Sequence, residues 1–341
     1  MDIGHVIIYA IVPILVVMLA GYLSGKKGAF NGDDSKKFNK VVLVYALPAA
    51  LFVSIAKSSR EMLVEDIKLS IVSVVGIMAC FMLVYFIFLW CFKKNKPNAQ
   101  SCAAVSALIS GSPTIGFLGF AVLEPVFDAT VGLTKVALVV AIIGIVVNAI
   151  GIPVGLSLLN SGLAKANPNH QGQAWWKPVV HALAQPVAWA PILATIWVII
   201  GIPWPDWASP SFNLIKGANA SMAVFSAGIT LSALKITINW QAILGSILKM
   251  IMMPAVILIL CLLFKMDYYN TLMTVVACAL PPAFSGIIIA DEYDTYTAIG
   301  TSSLTLSVIL FMGFCPLWII ISKVCMEAHL FGWTGVIPGV M

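Results

Sequence analysis

Two short stretches hold most of the chemistry this sequence can offer. Ser110-Gly111-Ser112-Pro113-Thr114, closing on Gly116, interrupts one long apolar run, and Pro281-Pro282, followed by Ser285-Gly286, interrupts another. In hydrocarbon no bulk water replaces the hydrogen bonds that proline and glycine break, so such backbone persists where it lines a cavity. Each break also exposes the start of a half-helix, whose N–H groups and positive dipole end favour a carboxylate. A lone proline more often only kinks a membrane helix. Two breaks at matching places point instead to a site for a small anion, and that pairing is the principal candidate here.

A second tier of residues surrounds these breaks. Lys249 lies inside an apolar run, about two turns from its start. It either snorkels to the interface on its long stem or supplies a counter-charge to the anion. Asn148, mid-run, either contacts substrate or staples neighbouring helices through its amide. Tyr45 and Pro48 are candidates for a cavity wall, with packing the plainer role for Tyr45 and a kink for Pro48, and Asn219 and Ser221 take the related place later in the chain. Trp175, Trp176, Trp204 and Trp207 fall at predicted helix ends, where an interfacial aromatic belt sits.

Other chemistries find little support. The four histidines (His5, His170, His181, His329) lie mostly at helix ends or in loops, and neither a Ser–His pair nor a His-Glu-x-x-His motif occurs. Asp291, Glu292 and Asp294 lack a partner motif, so an intramembrane enzyme is a weak alternative. An anion channel would use the same breaks as a filter, but charge rings and carbonyl-rich signatures are missing. The seven cysteines all fall in apolar runs without a C-x-x-C pair, which reads as small buried hydrophobes, with no metal site and no disulfide. No organic cofactor is expected. A coupling ion, H+ or Na+, is left open: Lys249 and Asp291, Glu292 and Asp294 are the titratable candidates for a proton path, and carbonyls with hydroxyls could serve sodium.

The elements that must position these residues follow from hydropathy. Of 341 residues, 61% are hydrophobic and 10% charged, with a mean hydropathy of +1.02, far from the roughly 25% charge of soluble domains. Spanning runs recur at about 5–24, 38–57, 68–92, 99–121, 132–159, 178–201, 213–234, 241–264, 270–290 and 297–322. The first, from about Val6 to Leu23, is too long for a signal h-region and Asp2 replaces a basic n-region, so it reads as a permanent span. Eleven basic residues (Lys26, Lys27, Lys36, Lys37, Lys40, Lys93, Lys94, Lys96, Lys165, Lys177, Lys235) fall in loops on one face and seven (Lys57, Arg60, Lys68, Lys135, Lys216, Lys265, Lys323) on the other. The richer face is expected to be cytoplasmic, with both termini extracytoplasmic, in the cell membrane (the inner one in a Gram-negative organism). This loop bias also accounts for the net charge of +5 without a nucleic-acid partner.

The two halves echo each other at a spacing of about 170–174 residues. Phe38-Asn39 opens the second span and Phe212-Asn213 the seventh; Phe92-Lys93 closes the third and Phe264-Lys265 the eighth. Gly116 and Gly286 stand 170 residues apart in the two breaks. Five spans per half invert the second half relative to the first, as in secondary transporters. The expected architecture is an all-α polytopic membrane protein of ten transmembrane helices. Residues 1–160 form one repeat, 161–177 a short cytoplasmic linker and 178–341 the inverted second repeat, with broken helices four and nine crossing.

Three stretches carry a family likeness: Phe38-Asn39-Lys40 through Tyr45-Ala46-Leu47-Pro48-Ala49-Ala50-Leu51-Phe52, Gly111 to Gly119, and Ala279 to Ile288. They resemble the second, fourth and ninth helices of bacterial permeases of the auxin efflux carrier family, and the likeness runs over essentially the whole chain. The resemblance implies the ten-helix inverted-repeat fold grouped with bile-acid and arsenite transporters, a homodimer and elevator-like alternating access. It implies a carboxylate substrate such as malonate or malate. The plant members carry an asparagine at the fourth-helix crossover, where Gly-Ser-Pro-Thr stands here, and a long central insert that is lacking between 160 and 177. A small mono- or dicarboxylate, oxalate included, fits this short hydroxyl-lined stretch better than auxin.

Overall fold

The computed structural model describes residues 11–61, 67–92, 98–166, 186–233, 239–293 and 295–333, with Val180 and Ala184 between them. The basic loop residues Lys93, Lys94, Lys96, Lys177 and Lys235, and Trp175, Trp176, His5, His170, His181 and Asp294, lie outside that set. Among the described residues the architecture is all-helical and contains no strand. In chain order the helices are α1 (Val12–Lys26), α2 (Gly32–Ala56), α3 (Ile67–Phe92), α4 (Ala99–Ser110), α5 (Ile115–Val131) and α6 (Leu133–Ala166). There follow α7 (Pro186–Ile200), α8 (Ser209–Ala233), α9 (Trp240–Leu263), α10 (Tyr268–Cys278), α11 (Phe284–Glu292) and α12 (Thr297–Glu327). Among the described residues six helical stretches, in α2, α3, α6, α8, α9 and α12, are long and apolar enough to cross a membrane, and shorter apolar helices accompany them.

Proline shapes the long helices in a uniform way. A π-helical turn occupies Val42–Ala46, Val146–Gly151 and Leu248–Met252, in each case ending two residues before a proline: Pro48, Pro153 and Pro254. Proline's ring clashes with the carbonyl four residues back and offers it no N–H. Widening the preceding turn relieves that clash without ending the helix. In α9 the carbonyl so deprived is that of Met250, and the Trp318 indole N–H donates to it at 2.8 Å.

The helices gather into two compact units, each drawing on both halves of the sequence. The first comprises residues 1–70, 115–144 and 185–234, the second 71–114, 145–184 and 235–341. In the first unit α1 lies against α8 at a separation only glycine permits. A Cβ on Gly21 would stand 2.1 Å from the Phe225 carbonyl oxygen, and one on Gly228 2.1 Å from that of Met18. Close backbone approach of this kind is how helices associate where no hydrophobic effect drives them together. A hydroxyl cluster pins the same helix to α2: buried Ser35 bonds the Ser226 hydroxyl at 3.0 Å and that of Thr230 at 2.5 Å, and Ser226 donates to the Asn39 side chain at 2.7 Å.

The second unit is built differently. Here α4 is buried from Ser101 to Ser110, leaving only its first two residues partly exposed. The later part of α6 rests on it through Gly155, where a Cβ would press on Leu108 at 2.4 Å. α9 and α12 are joined by Ser246, whose hydroxyl reaches the Ser303 carbonyl at 3.1 Å. The predicted fourth and ninth spans, 99–121 and 270–290, are each two helices separated by a short non-helical link.

Candidate functional site

Both links lie in the second unit, and they touch. α4 ends at Ser110, Gly111 caps it, and the chain runs extended through Ser112, Pro113 and Thr114 before α5 starts. α10 ends at Cys278, and Leu280 to Ala283 run on to α11. The two extended segments pair antiparallel across Pro113 and Pro282. Thr114 N–H donates to the Pro281 carbonyl at 3.0 Å, and Ala283 N–H donates to the Ser112 carbonyl at 3.1 Å. Each break therefore satisfies backbone groups that the other lost, as burial demands. Two of the amide donors expected to receive a carboxylate are engaged in this pairing. The polar groups carried by the first link are the hydroxyls of Ser112 and Thr114, both residues buried. Among the described residues the Thr114 hydroxyl has no hydrogen-bond partner.

Glycine makes the crossing compact at two positions. A Cβ on Gly286, in the first turn of α11, would lie 2.7 Å from both the carbonyl carbon and oxygen of Leu108 in α4. A Cβ on Gly111 would lie 2.9 Å from the Phe81 Cα in α3.

Lys249 has a defined place in this assembly. It is fully buried (0% exposed), so it does not snorkel. Its ammonium donates to the Cys278 carbonyl at 2.5 Å and lies 3.1 Å from the Met253 sulfur. Cys278 is the last residue of α10, and the residue four positions on, which would bond its carbonyl in a continuous helix, is Pro282. Proline has no N–H to give. Lys249 supplies the missing donor and sets a positive charge at the negative end of the α10 dipole.

The remaining candidates are dispersed. Ser110 is buried against α9, with its hydroxyl 2.8 Å from where a Cβ on Gly245 would stand, so it faces helix packing. Asn148 is half-buried in the π-helical turn of α6. Gly151, at the end of that turn, comes nearer the crossing: a Cβ there would be 3.9 Å from the Ser112 hydroxyl. Ser285 is half-buried in the first turn of α11. Tyr45 and Gly116 belong to the first unit. Tyr45 is 61% exposed on α2, and Gly116 is half-buried, with Leu47 3.0 Å from its would-be Cβ. All seven cysteines are free. Among the described residues no three His, Cys, Asp or Glu side chains gather where they could hold a metal ion.

The comparison with known families decides the class. The model of the membrane transport proteins matches residues 6–319, nearly the whole chain. The chain belongs to this family. These membrane transport proteins are the auxin efflux carrier group whose second, fourth and ninth helices the motifs above resemble. Among its relatives, the uncharacterized transporter YfdV of Escherichia coli K12 is 48% identical over 314 residues, covering 92% of this chain and 96% of that protein. An uncharacterized transporter of Methanothermobacter thermautotrophicus is 23% identical over 314 residues, covering 91% and 97%. Family and helices together make this a multi-pass membrane transport protein.

Sequence reasoning passed over Glu124 and took Lys216 only as a loop charge. Glu124 and Lys216 form an ion pair at 4.0 Å inside the first unit. Glu124 could have been found as the one acid within the Ile115–Phe127 apolar run, the signal already used for Lys249.

Proposed function

We propose that this protein is a secondary carrier for a small organic anion, a mono- or dicarboxylate of the size of malonate, malate or oxalate, held at the crossing of the two broken helices. The observation that carries the reading is the reciprocal pairing of Ser112-Pro113-Thr114 with Pro281-Pro282-Ala283. Two interrupted helices crossing antiparallel in the second unit fit an inverted repeat of five plus five spans, with the termini extracytoplasmic. Such repeats place substrate where discontinuous helices meet. The unpartnered Thr114 hydroxyl offers a buried donor beside a backbone already held rigid. A preorganised hydrogen-bonding group in a dry site loses little on receiving a carboxylate. Alternating access is supplied by an elevator-like displacement within a homodimer.

Uptake of radiolabelled carboxylates into proteoliposomes tests the reading. Wild-type protein is expected to carry one short carboxylate saturably and to exchange it for unlabelled substrate. Changing Pro113→Ala together with Pro282→Ala should abolish that flux while the purified protein still elutes as a folded species. Flux at the wild-type rate in the double variant overturns the crossing as the substrate site. Non-saturable, exchange-insensitive flux would mark an anion channel instead.

A further inference from the structure

The first unit holds a half-open cavity of about 500 Å³. Lys57, Glu124, Asn213, Lys216, Gly217 and Asn219 line it. Asn219 is only 2% exposed, yet among the described residues neither its amide nitrogen nor its amide oxygen has a hydrogen-bond partner. A buried carboxamide with neither end bonded is costly, about 1–3 kcal/mol for each unsatisfied group, and native proteins rarely retain one without a reason. Asn213, Lys216, Gly217 and Ala220 recur at helical spacing on α8, so they present one face to the cavity, with Asn219 beside them. Gly217 keeps that face open: a Cβ there would meet nothing within 4 Å.

The charges select the ligand. Lys57 and Lys216 bring two positive charges and Glu124 one negative, leaving a sum of +1. Lys216 is the more enclosed lysine, its side chain 15% exposed, and Glu124 at 4.0 Å fixes it without neutralising the cavity. A cation would face two lysines, whereas a monoanion is matched in charge. The Asn219 carboxamide can both donate to a carboxylate oxygen and accept from a neighbouring hydroxyl.

We propose that this cavity is a distinct binding site for a small monocarboxylate, with Lys57 and Lys216 drawing in the anion and the Asn219 amide orienting it. The proposal stands independently of the crossing, because every residue that lines the cavity belongs to the first unit. Equilibrium dialysis of radiolabelled lactate against the full-length protein in phosphatidylcholine nanodiscs tests it. Saturable lactate binding by the wild type is expected, weakened at least tenfold by Asn219→Leu and by Lys216→Gln. In a Ser112→Ala, Thr114→Val background, which removes the hydroxyls of the crossing, one saturable lactate site should remain and should still be lost on adding Asn219→Leu. Asn219→Leu replaces an unpartnered amide by an apolar side chain of similar volume, so its melting temperature should not fall, which separates loss of ligand from loss of fold. Lysine loss alone is checked by Lys216→Arg, which should restore binding. Wild-type affinity in Asn219→Leu, or no saturable lactate binding at all, overturns the site. Binding lost in the Ser112/Thr114 variant but kept in Asn219→Leu also overturns it, and would leave the crossing as the site of the bound anion.

Discussion

The two breaks occupy related places in the chain and pair with each other, yet they are supported in opposite ways. The first link is polar and lightly propped: Ser112 and Thr114 contribute hydroxyls, and Thr114 keeps one without a partner. The second is apolar from Ala279 to Ala283, and a buried lysine from another helix caps the carbonyl its prolines abandon. The contrast extends to the two glycines 170 residues apart. Gly286 is wedged on the Leu108 backbone, whereas Gly116 meets only the tips of leucine side chains. An antiparallel pairing thus does not make the partners equal. One link carries buried hydroxyls, and the other is braced by a lysine.

The sharpest way to break that contrast is to add one methyl group to each glycine. Gly286→Ala drives a Cβ into backbone that cannot yield, so a loss of at least about 3 kcal/mol and failure to recover monodisperse protein are expected. Gly116→Ala asks one leucine rotamer to move, and a change below about 1 kcal/mol should be read in the same thermal melts. Equal effects would erase the asymmetry.

Next in size is Lys249→Met, which orphans the Cys278 carbonyl. A melting-point drop equivalent to about 1–3 kcal/mol is expected, with transport reduced at least tenfold. If Lys249 stands in for the N–H that Pro282 lacks, adding Pro282→Ala to Lys249→Met should recover part of the lost stability. Strict additivity in that double-mutant cycle would refute the substitution of one donor for another. The smallest effect on stability belongs to Thr114→Val, within about 1 kcal/mol of wild type, because the hydroxyl it removes bonds none of the described residues. Carboxylate-induced stabilisation should nonetheless shrink, as read by thermal shift at fixed ligand concentration.

Much of this was legible in the sequence, and what was not has physical causes. Proline and glycine placed both links to within a residue or two, since their backbone constraints act locally. The six long stretches follow directly from hydropathy. Lys249 was visible as a charge in an apolar run, but its direction depended on which carbonyl a proline 33 positions away had left unbonded. The π-helical turns were hidden for a similar reason: the sequence shows Pro48, Pro153 and Pro254, and only the fold shows whether the helix stops, kinks or widens. The two packing units also cut across the sequence repeat, each gathering segments from both halves. Relatedness along the chain and proximity in space are separate properties. The cavity beside Asn219 escaped notice because Lys57 and Lys216 read as loop charges until α2 and α8 brought them together.

The rungs between Pro113 and Pro282 join residues 169 positions apart, which has a consequence for the newborn chain. At about 5–20 residues per second, roughly 10–30 s separate the emergence of the first link from that of its partner. Throughout that interval the carbonyl of Ser112 and the amide of Thr114 have no mate, and hydrocarbon offers them none. Until then the first link must be kept beside water or other protein. The bilayer can accept it fully only when the second arrives.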